Sequence, residues 1–187
     1  MSEPAPLIVT LMLDESAFAF FDGQRRLHFP PERNLIGAHV TLFHHLPGEH
    51  LAAVEAVLAA ESCACAPFSV AVAGLRLLGR GVAYRLDSPV LDLLRAGLAS
   101  QFRAWLTPQD AQRFQPHVTI QNKVDPAQAR ALKAALETGF KPWKAKAEGL
   151  QLWRYLGGPW EAVETFRFRG AASDDFSDEP AVPLSRP

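Results

Sequence analysis

Two nearly identical tetrapeptides, His39-Val40-Thr41-Leu42 and His117-Val118-Thr119-Ile120, sit at matching places in a chain whose pattern of elements occurs twice. In the first copy, Leu7 to Leu13 is an apolar run of strand length, and Asp14 is placed to cap a helix reaching about Leu27. Pro30 and Pro31 stop that helix, residues 38–46 read as a strand, and Pro47-Gly48 leads into a helix with Leu51, Val54 and Leu58 on one face. Residues 68–78 read as a further strand. The pattern restarts after the turn Gly79-Arg80-Gly81 with a strand over 82–86. Ser88 and Pro89 then open a helix striped by Leu91, Leu94, Leu98, Phe102 and Trp105. A strand over 114–124 follows, then a helix capped by Asp125, carrying Ala129, Leu132 and Leu136 and closed by Gly139. Residues 150–156 and 163–168 read as a terminal strand pair around Gly157-Gly158-Pro159. Strand, helix, strand, helix, strand thus occurs over about 7–78 and again over about 82–168.

The two tetrapeptides fall on the middle strands of the two copies. Strand side chains two apart share a face, so His39 lies beside Thr41 and His117 beside Thr119, while Val40, Leu42, Val118 and Ile120 point into a core. If a pseudo-twofold axis relates the copies, the two pairs face each other across one cleft. Two opposed imidazoles suit in-line displacement at phosphorus. A neutral one takes the proton of the attacking water while a protonated one supplies the leaving oxygen, and the Thr hydroxyls hold the non-bridging oxygens. By the same alternation Phe43 and His45 border the first pair, and Gln121 and Lys123 the second, as candidate substrate-binding residues. Trp153 and Tyr155 alternate on the late strand as a wall for a base. With both histidines unperturbed, the rate is expected to trace a bell with its top at about pH 6 to 7.5.

The chain has 187 residues, a mass of 20.5 kDa, 48% hydrophobic residues and a formal net charge of −1. These values fit a globular fold and exclude an excess positive field for holding long double-stranded nucleic acid. Cys63 and Cys65 are too close for an ordinary disulfide and read as small buried residues in a reducing compartment. His44 and His45 follow the first motif without a carboxylate or cysteine cluster at ligand spacing, so no metal site and no cofactor are expected. Arg25, Arg26 and Arg33 read as a solvated helix end. With no export signal or apolar span in view, a cytoplasmic location without membrane association is expected. The Ser, Asp, Glu and Pro content of residues 171–187 suggests a mobile tail.

The paired His-hydrophobic-Thr-hydrophobic motifs within a duplicated chain resemble those of the two-histidine (2H) phosphoesterase superfamily, in particular its bacterial 2′-5′ RNA ligase-like and RNA 2′,3′-cyclic phosphodiesterase branch. The resemblance spans about residues 7–169. It implies a single α+β domain over 1–170, bilobal and intertwined, with an antiparallel sheet in each lobe, helices outside and the motifs lining a central cleft. It maps His39, Thr41, His117 and Thr119 onto the catalytic motif residues and implies metal-independent cleavage of a 2′,3′-cyclic phosphate or related 2′-linked ester. Gln121 and Asn122 stand before Lys123, where many members carry a basic residue at once. That departure, with the near-neutral charge, favours a cyclic nucleotide or an RNA terminus bearing a cyclic phosphate as partner, and a monomer is expected. The alternatives are 2′-5′ RNA ligation, or non-hydrolytic binding of RNA ends or nucleotides in the same cleft.

Overall fold

The computed structural model describes residues 4–171, so the expected tail falls outside the described residues beyond its first position. The elements are β1 (Leu7–Leu13), α1 (Glu15–His28), β2 (Val40–Leu46), α2 (Leu51–Ala64), β3 (Phe68–Leu77), β4 (Val82–Asp87), α3 (Pro89–Gln101), β5 (His117–Gln121), α4 (Pro126–Glu137), β6 (Trp143–Tyr155) and β7 (Trp160–Arg167). The helix starts follow the expected chemistry. Asp14 accepts from the Ala17 N–H at 3.0 Å, Ser88 from Leu91 at 3.4 Å and Asp125 from Ala127 at 2.7 Å, each satisfying an orphan donor of the first turn.

All strand pairs are antiparallel, in one sheet of order β2-β1-β6-β3-β4-β5, with β7 also on β6. The first copy supplies β1, β2 and β3, and the second supplies β4, β5 and β6, yet β6 pairs with β1 and β3 with β4. Each copy therefore lends its third strand to the other, and the motif strands β2 and β5 stand at the two ends of the path. The 13 residues of β6 reach from β3, at Trp143 to Ala147, to β1, at Ala147 to Arg154.

Helix packing is crossed in the same way. Helix α1 of the first copy lies against β5, with Phe20 and Phe21 at 5.5 Å from the Tyr84 ring of β4, whereas Phe102 after α3 meets Phe43 of β2 edge-on at 5.3 Å. Val40, Leu42, Val118 and Ile120 are buried as alternation requires. At Gly81 a Cβ would overlap the Gln121 carbonyl oxygen, so glycine is what lets β4 begin against the end of β5.

Several expectations need correction. Strand β5 is shorter than 114–124, because Pro116 has no N–H to donate before it and Lys123 turns the chain at φ 63° after it. Strand β6 begins well before residue 150, where small Ala145 and Ala147 alternate with charged residues and are buried. Phe43 is not beside His39 but fully buried, because a bulge intervenes: Thr41 pairs with Thr10 and Phe43 with Val9, leaving Leu42 as an extra residue. Cys63 is exposed, since it lies off the Val54, Leu58 and Ser62 face by which α2 packs. Arg25 is 2% exposed rather than solvated.

Candidate functional site

His39 immediately precedes β2 and Thr41 is its second residue; His117 opens β5 and Thr119 is its third. Although β2 and β5 are the two ends of the sheet order, they touch each other, so the sheet curls far enough to bring the motif strands together. Register fixes which side chains share a face with the motifs. Thr41, Thr10 and Gln151 stand side by side across β2, β1 and β6, and Thr119, Ala83 and Arg76 stand likewise across β5, β4 and β3.

The imidazoles are held alike. His39 Nδ1 lies 2.8 Å from the Gly37 carbonyl oxygen, and His117 Nδ1 lies 2.8 Å from the Gln115 carbonyl oxygen, two residues back in each case. A carbonyl only accepts, so each Nδ1 carries the hydrogen and each Nε2 is left to exchange a proton. Burial pushes His39 down to about 4. The Gly37 carbonyl opposes that shift, and the charges of Arg25, His117 and His44 add to it. His117 is also lowered, chiefly by burial, against the pull of the Gln115 carbonyl and with help from Arg76 and His44. The two histidines therefore lie within electrostatic reach of each other, and both are biased toward the neutral form.

Two buried arginines, neither assigned this role from the sequence, fix the motif strands. Arg25 of α1 donates to the Thr119 carbonyl at 2.8 Å, to Asn34 Oδ1 at 2.9 and 3.2 Å, and to the Ile36 carbonyl at 3.2 Å, beneath the Phe29 ring. Arg95 of α3, 6% exposed, donates to the Leu42 carbonyl at 2.7 Å and the Asp110 carbonyl at 2.6 Å, with its guanidinium 3.8 Å from the Phe43 ring centroid. Asp110 completes the second cluster. Its carboxylate accepts from the backbone N–H groups of His44 and His45 at 2.9 and 3.0 Å and from His44 Nδ1 at 2.9 Å. Burial acts to raise that carboxyl, but the hydrogen bonds from His44 and His45 prevail and hold it below the usual range. His44 and His45 together stand opposite the single residue Ile8, a second irregularity of β2 that exposes both rings. The only sequence signal for these arginines was their helical spacing toward the apolar stripe, which cannot show what a long side chain reaches.

A cavity of about 620 Å³ opens beside His39, lined by Phe18, Leu35, Trp153 and Trp160 with Glu148 and Arg167 at the polar side. It includes His39 and Val118 but not Thr41, His117 or Thr119, so it adjoins the motif residues rather than coinciding with them. Trp160 lies 4.7 Å from the His39 ring and 6.1 Å from Trp153, whose Nε1–H donates to Thr10 Oγ1 at 2.9 Å. Of the other candidates, Tyr155 is 44% exposed and outside this lining, paired in register with Trp160. His45 is exposed, Gln121 is 8% exposed with an unpartnered Oε1, and Lys123 is exposed in the turn after β5. Trp160 carries no sequence signal of its own, because it directly follows the turn residues Gly157-Gly158-Pro159 and precedes the apolar residues that mark a strand from 163, whereas β7 begins at Trp160 itself. Among the described residues no three His, Cys, Asp or Glu side chains gather so as to hold a metal ion, and no helix is long and apolar enough to cross a membrane.

An antiparallel α+β fold that carries a His-x-Thr pair at an equivalent place in each copy is the arrangement expected of the two-histidine phosphoesterase superfamily. A family model described as the 2′-5′ RNA ligase superfamily matches residues 13–159, and the chain belongs to that superfamily. Its fold is similar to that of TT0787 of Thermus thermophilus, at 19% identity and a TM-score of 0.66, over 89% of this chain and 100% of that one. It is also similar to E. coli LigT solved with 3′-AMP, at 20% identity and a TM-score of 0.60, over 89% of this chain and 99% of LigT. LigT solved with NADP+ gives 20% identity and a TM-score of 0.57 over the same shares. No curated protein matches the chain in sequence.

Proposed function

We propose that the chain is a phosphodiesterase that hydrolyses a 2′,3′-cyclic phosphate, or a related 2′-linked phosphodiester, of a nucleotide or RNA end by two-histidine acid and base catalysis. The observation that carries this reading is the matched anchoring of the two imidazoles, each with Nδ1 on the carbonyl two residues back and Nε2 left open. In this reading the two halves of the sheet act as lobes about one cleft, the whole of 1–170 being one domain. The Nε2 lone pair of one neutral histidine takes a proton from water as its oxygen bonds to phosphorus. The Nε2–H of the other, protonated, histidine passes to the ribose oxygen as its bond to phosphorus breaks. Thr41 and Thr119 hydroxyls donate to the non-bridging oxygens, on which negative charge grows in the transition state. These groups complete the proton transfers without a metal ion.

The deeper depression of His39, to about 4, favours it as the base and His117 as the acid. The aromatic cavity beside His39 suits a nucleobase, which stacks on Trp160 and Trp153. That E. coli LigT has been solved with 3′-AMP, ATP and NADP+ supports a nucleotide-sized substrate here. A protein that merely held RNA ends would gain nothing from two imidazoles biased toward neutrality.

Turnover of 2′,3′-cyclic AMP and of an oligonucleotide with a cyclic phosphate end, in the presence of EDTA, tests the reading. His39→Ala and His117→Ala should each lose about 10²- to 10⁴-fold in turnover, and Thr41→Val and Thr119→Val about 10- to 10³-fold, with circular dichroism unchanged. Full activity in either His variant, or loss of activity to EDTA that added metal restores, refutes it.

A further inference from the structure

We propose that Arg76, near the end of β3, is the cationic residue that contacts the substrate's phosphate in this site. The proposal rests on the two-histidine reading above. Register places Arg76 opposite Ala83 and Ala83 opposite Thr119, so the three side chains share the face that carries the second motif. Two strand spacings put the Arg76 and Thr119 backbones about 10 Å apart. The residue between them offers only a methyl group, and an extended arginine crosses most of that distance over it.

The other arginines near the motifs are already engaged. Arg25 and Arg95 are fixed on backbone carbonyls, Arg85 is turned to Asp87 and the Ala73 carbonyl at 3.4 Å, and Arg167 is on Glu148. Arg76 is half-buried, and among the described residues it makes neither a hydrogen bond nor an ion pair. Withdrawing a guanidinium from water without a counter-charge is unfavourable, and an arriving phosphate oxygen relieves it with charge-assisted hydrogen bonds.

The charge balance of the reaction points the same way. A phosphodiester brings one negative charge, and more gathers on its non-bridging oxygens as water adds. A singly protonated histidine pair supplies one positive charge, and the two threonines supply none. The charged or titratable groups around His117 are His39, Arg76 from β3, Arg85 beside it on β4, and His44 from β2 held by Asp110; of the two arginines only Arg76 lacks an internal partner among the described residues. The equivalent position beside the first motif is Gln151 of β6, which lines the aromatic cavity. The two sides of the site are therefore unlike: a neutral base fits the Gln151 side, and the phosphate oxygens face the Arg76 side.

Inorganic phosphate binding, followed by NMR of the wild-type chain and of Arg76→Met, Arg76→Gln and Arg76→Lys, tests the assignment without depending on turnover. The uncharged variants should bind phosphate about 10- to 100-fold more weakly and lose at least as much in kcat/KM on 2′,3′-cyclic AMP. In the same spectra His117 should titrate at higher pH in the uncharged variants, and Arg76→Lys should recover part of the affinity and return the titration toward wild type. A purely structural arginine would change the melting temperature and leave the phosphate affinity of the folded fraction alone. Phosphate affinity within about twofold of wild type in either folded uncharged variant, or no phosphate binding by the wild-type chain, overturns the proposal. Phosphate binding that depends on Arg76 in a chain that opens no cyclic phosphate would sink the hydrolase reading and leave this one standing.

Discussion

Moving the assay from pH 5 to pH 8 should carry the free chain away from its reactive protonation state. The two-histidine scheme needs one imidazole neutral and one protonated, so its kcat/KM follows the singly protonated pair. Unperturbed histidines would put the top of that bell at about pH 6 to 7.5. In the folded chain burial takes His39 down to about 4 and lowers His117 as well, so the top should move to the acid side of that range. Above the His117 value the reactive fraction falls about tenfold per pH unit. A bound cyclic phosphate keeps its negative charge over this range and favours both protonated imidazoles. The kcat profile, which reports the complex, should therefore lie on the alkaline side of the kcat/KM profile. Stability gives an independent reading with its own sign. Because the His39 value is lower folded than unfolded, the unfolded chain binds more protons between about pH 6.5 and 4, and stability falls as the pH drops through that window. The displacement corresponds to at most about 3 kcal/mol, reduced by the part of the ring that meets solvent. Urea midpoints at pH 7 and 4.5 should separate more in wild type than in His39→Gln. A kcat/KM profile that climbs to pH 10 without descending, or equal midpoint changes in the two proteins, would refute the reasoning.

Two further outcomes follow from the packing around the site. Trp160→Ala should raise KM for a cyclic nucleotide about tenfold with kcat within about threefold, since a stacked base contributes about 1–3 kcal/mol; Tyr155→Ala, outside the cavity, should do neither. Arg95→Met should lower the urea-unfolding free energy by about 3 kcal/mol because it strands the buried Leu42 and Asp110 carbonyls, and an unchanged midpoint would show those bonds to be dispensable.

The sequence carried the elements whose signals are local. Strand β1 has the expected bounds, Leu7–Leu13, because an apolar run ends at a residue that caps a helix, and Ser88 and Asp125 mark helix starts by the same chemistry. The His-x-Thr pairs were legible because they are short, repeated and set in a repeated context. What failed depends on partners distant in sequence. Alternation alone put Phe43 on the face of His39, and only pairing with Val9 and Thr10 reveals the extra Leu42 that turns Phe43 into the core. Arginines at 25, 76 and 95 look alike along the chain. Whether such a side chain meets solvent, a buried carbonyl or a site is decided by elements tens of residues away.

The crossed connections tie the positions of the two motif strands to each other, as the proposed two-histidine scheme requires. Neither motif strand is finished by its own copy: β2 lies beside β1, which leans on β6 from the second copy, and β5 lies beside β4, which leans on β3 from the first. Each is an end strand of the sheet path, with backbone groups that β1 or β4 does not satisfy. Arg25 of the first copy meets the Thr119 carbonyl of the second motif strand, and Arg95 of the second copy meets the Leu42 carbonyl of the first. Those carbonyls belong to a motif threonine and to the residue after the other one. Each buried guanidinium thereby sets the depth at which the opposite copy's threonine and histidine stand. A tightly packed interior tolerates few arrangements of such bonds, so a shift in one half passes directly to the motif side chains of the other. Half of this chain would have neither a completed sheet nor a fixed motif strand, and under the proposed scheme its histidine would have no defined partner with which to share the proton transfers.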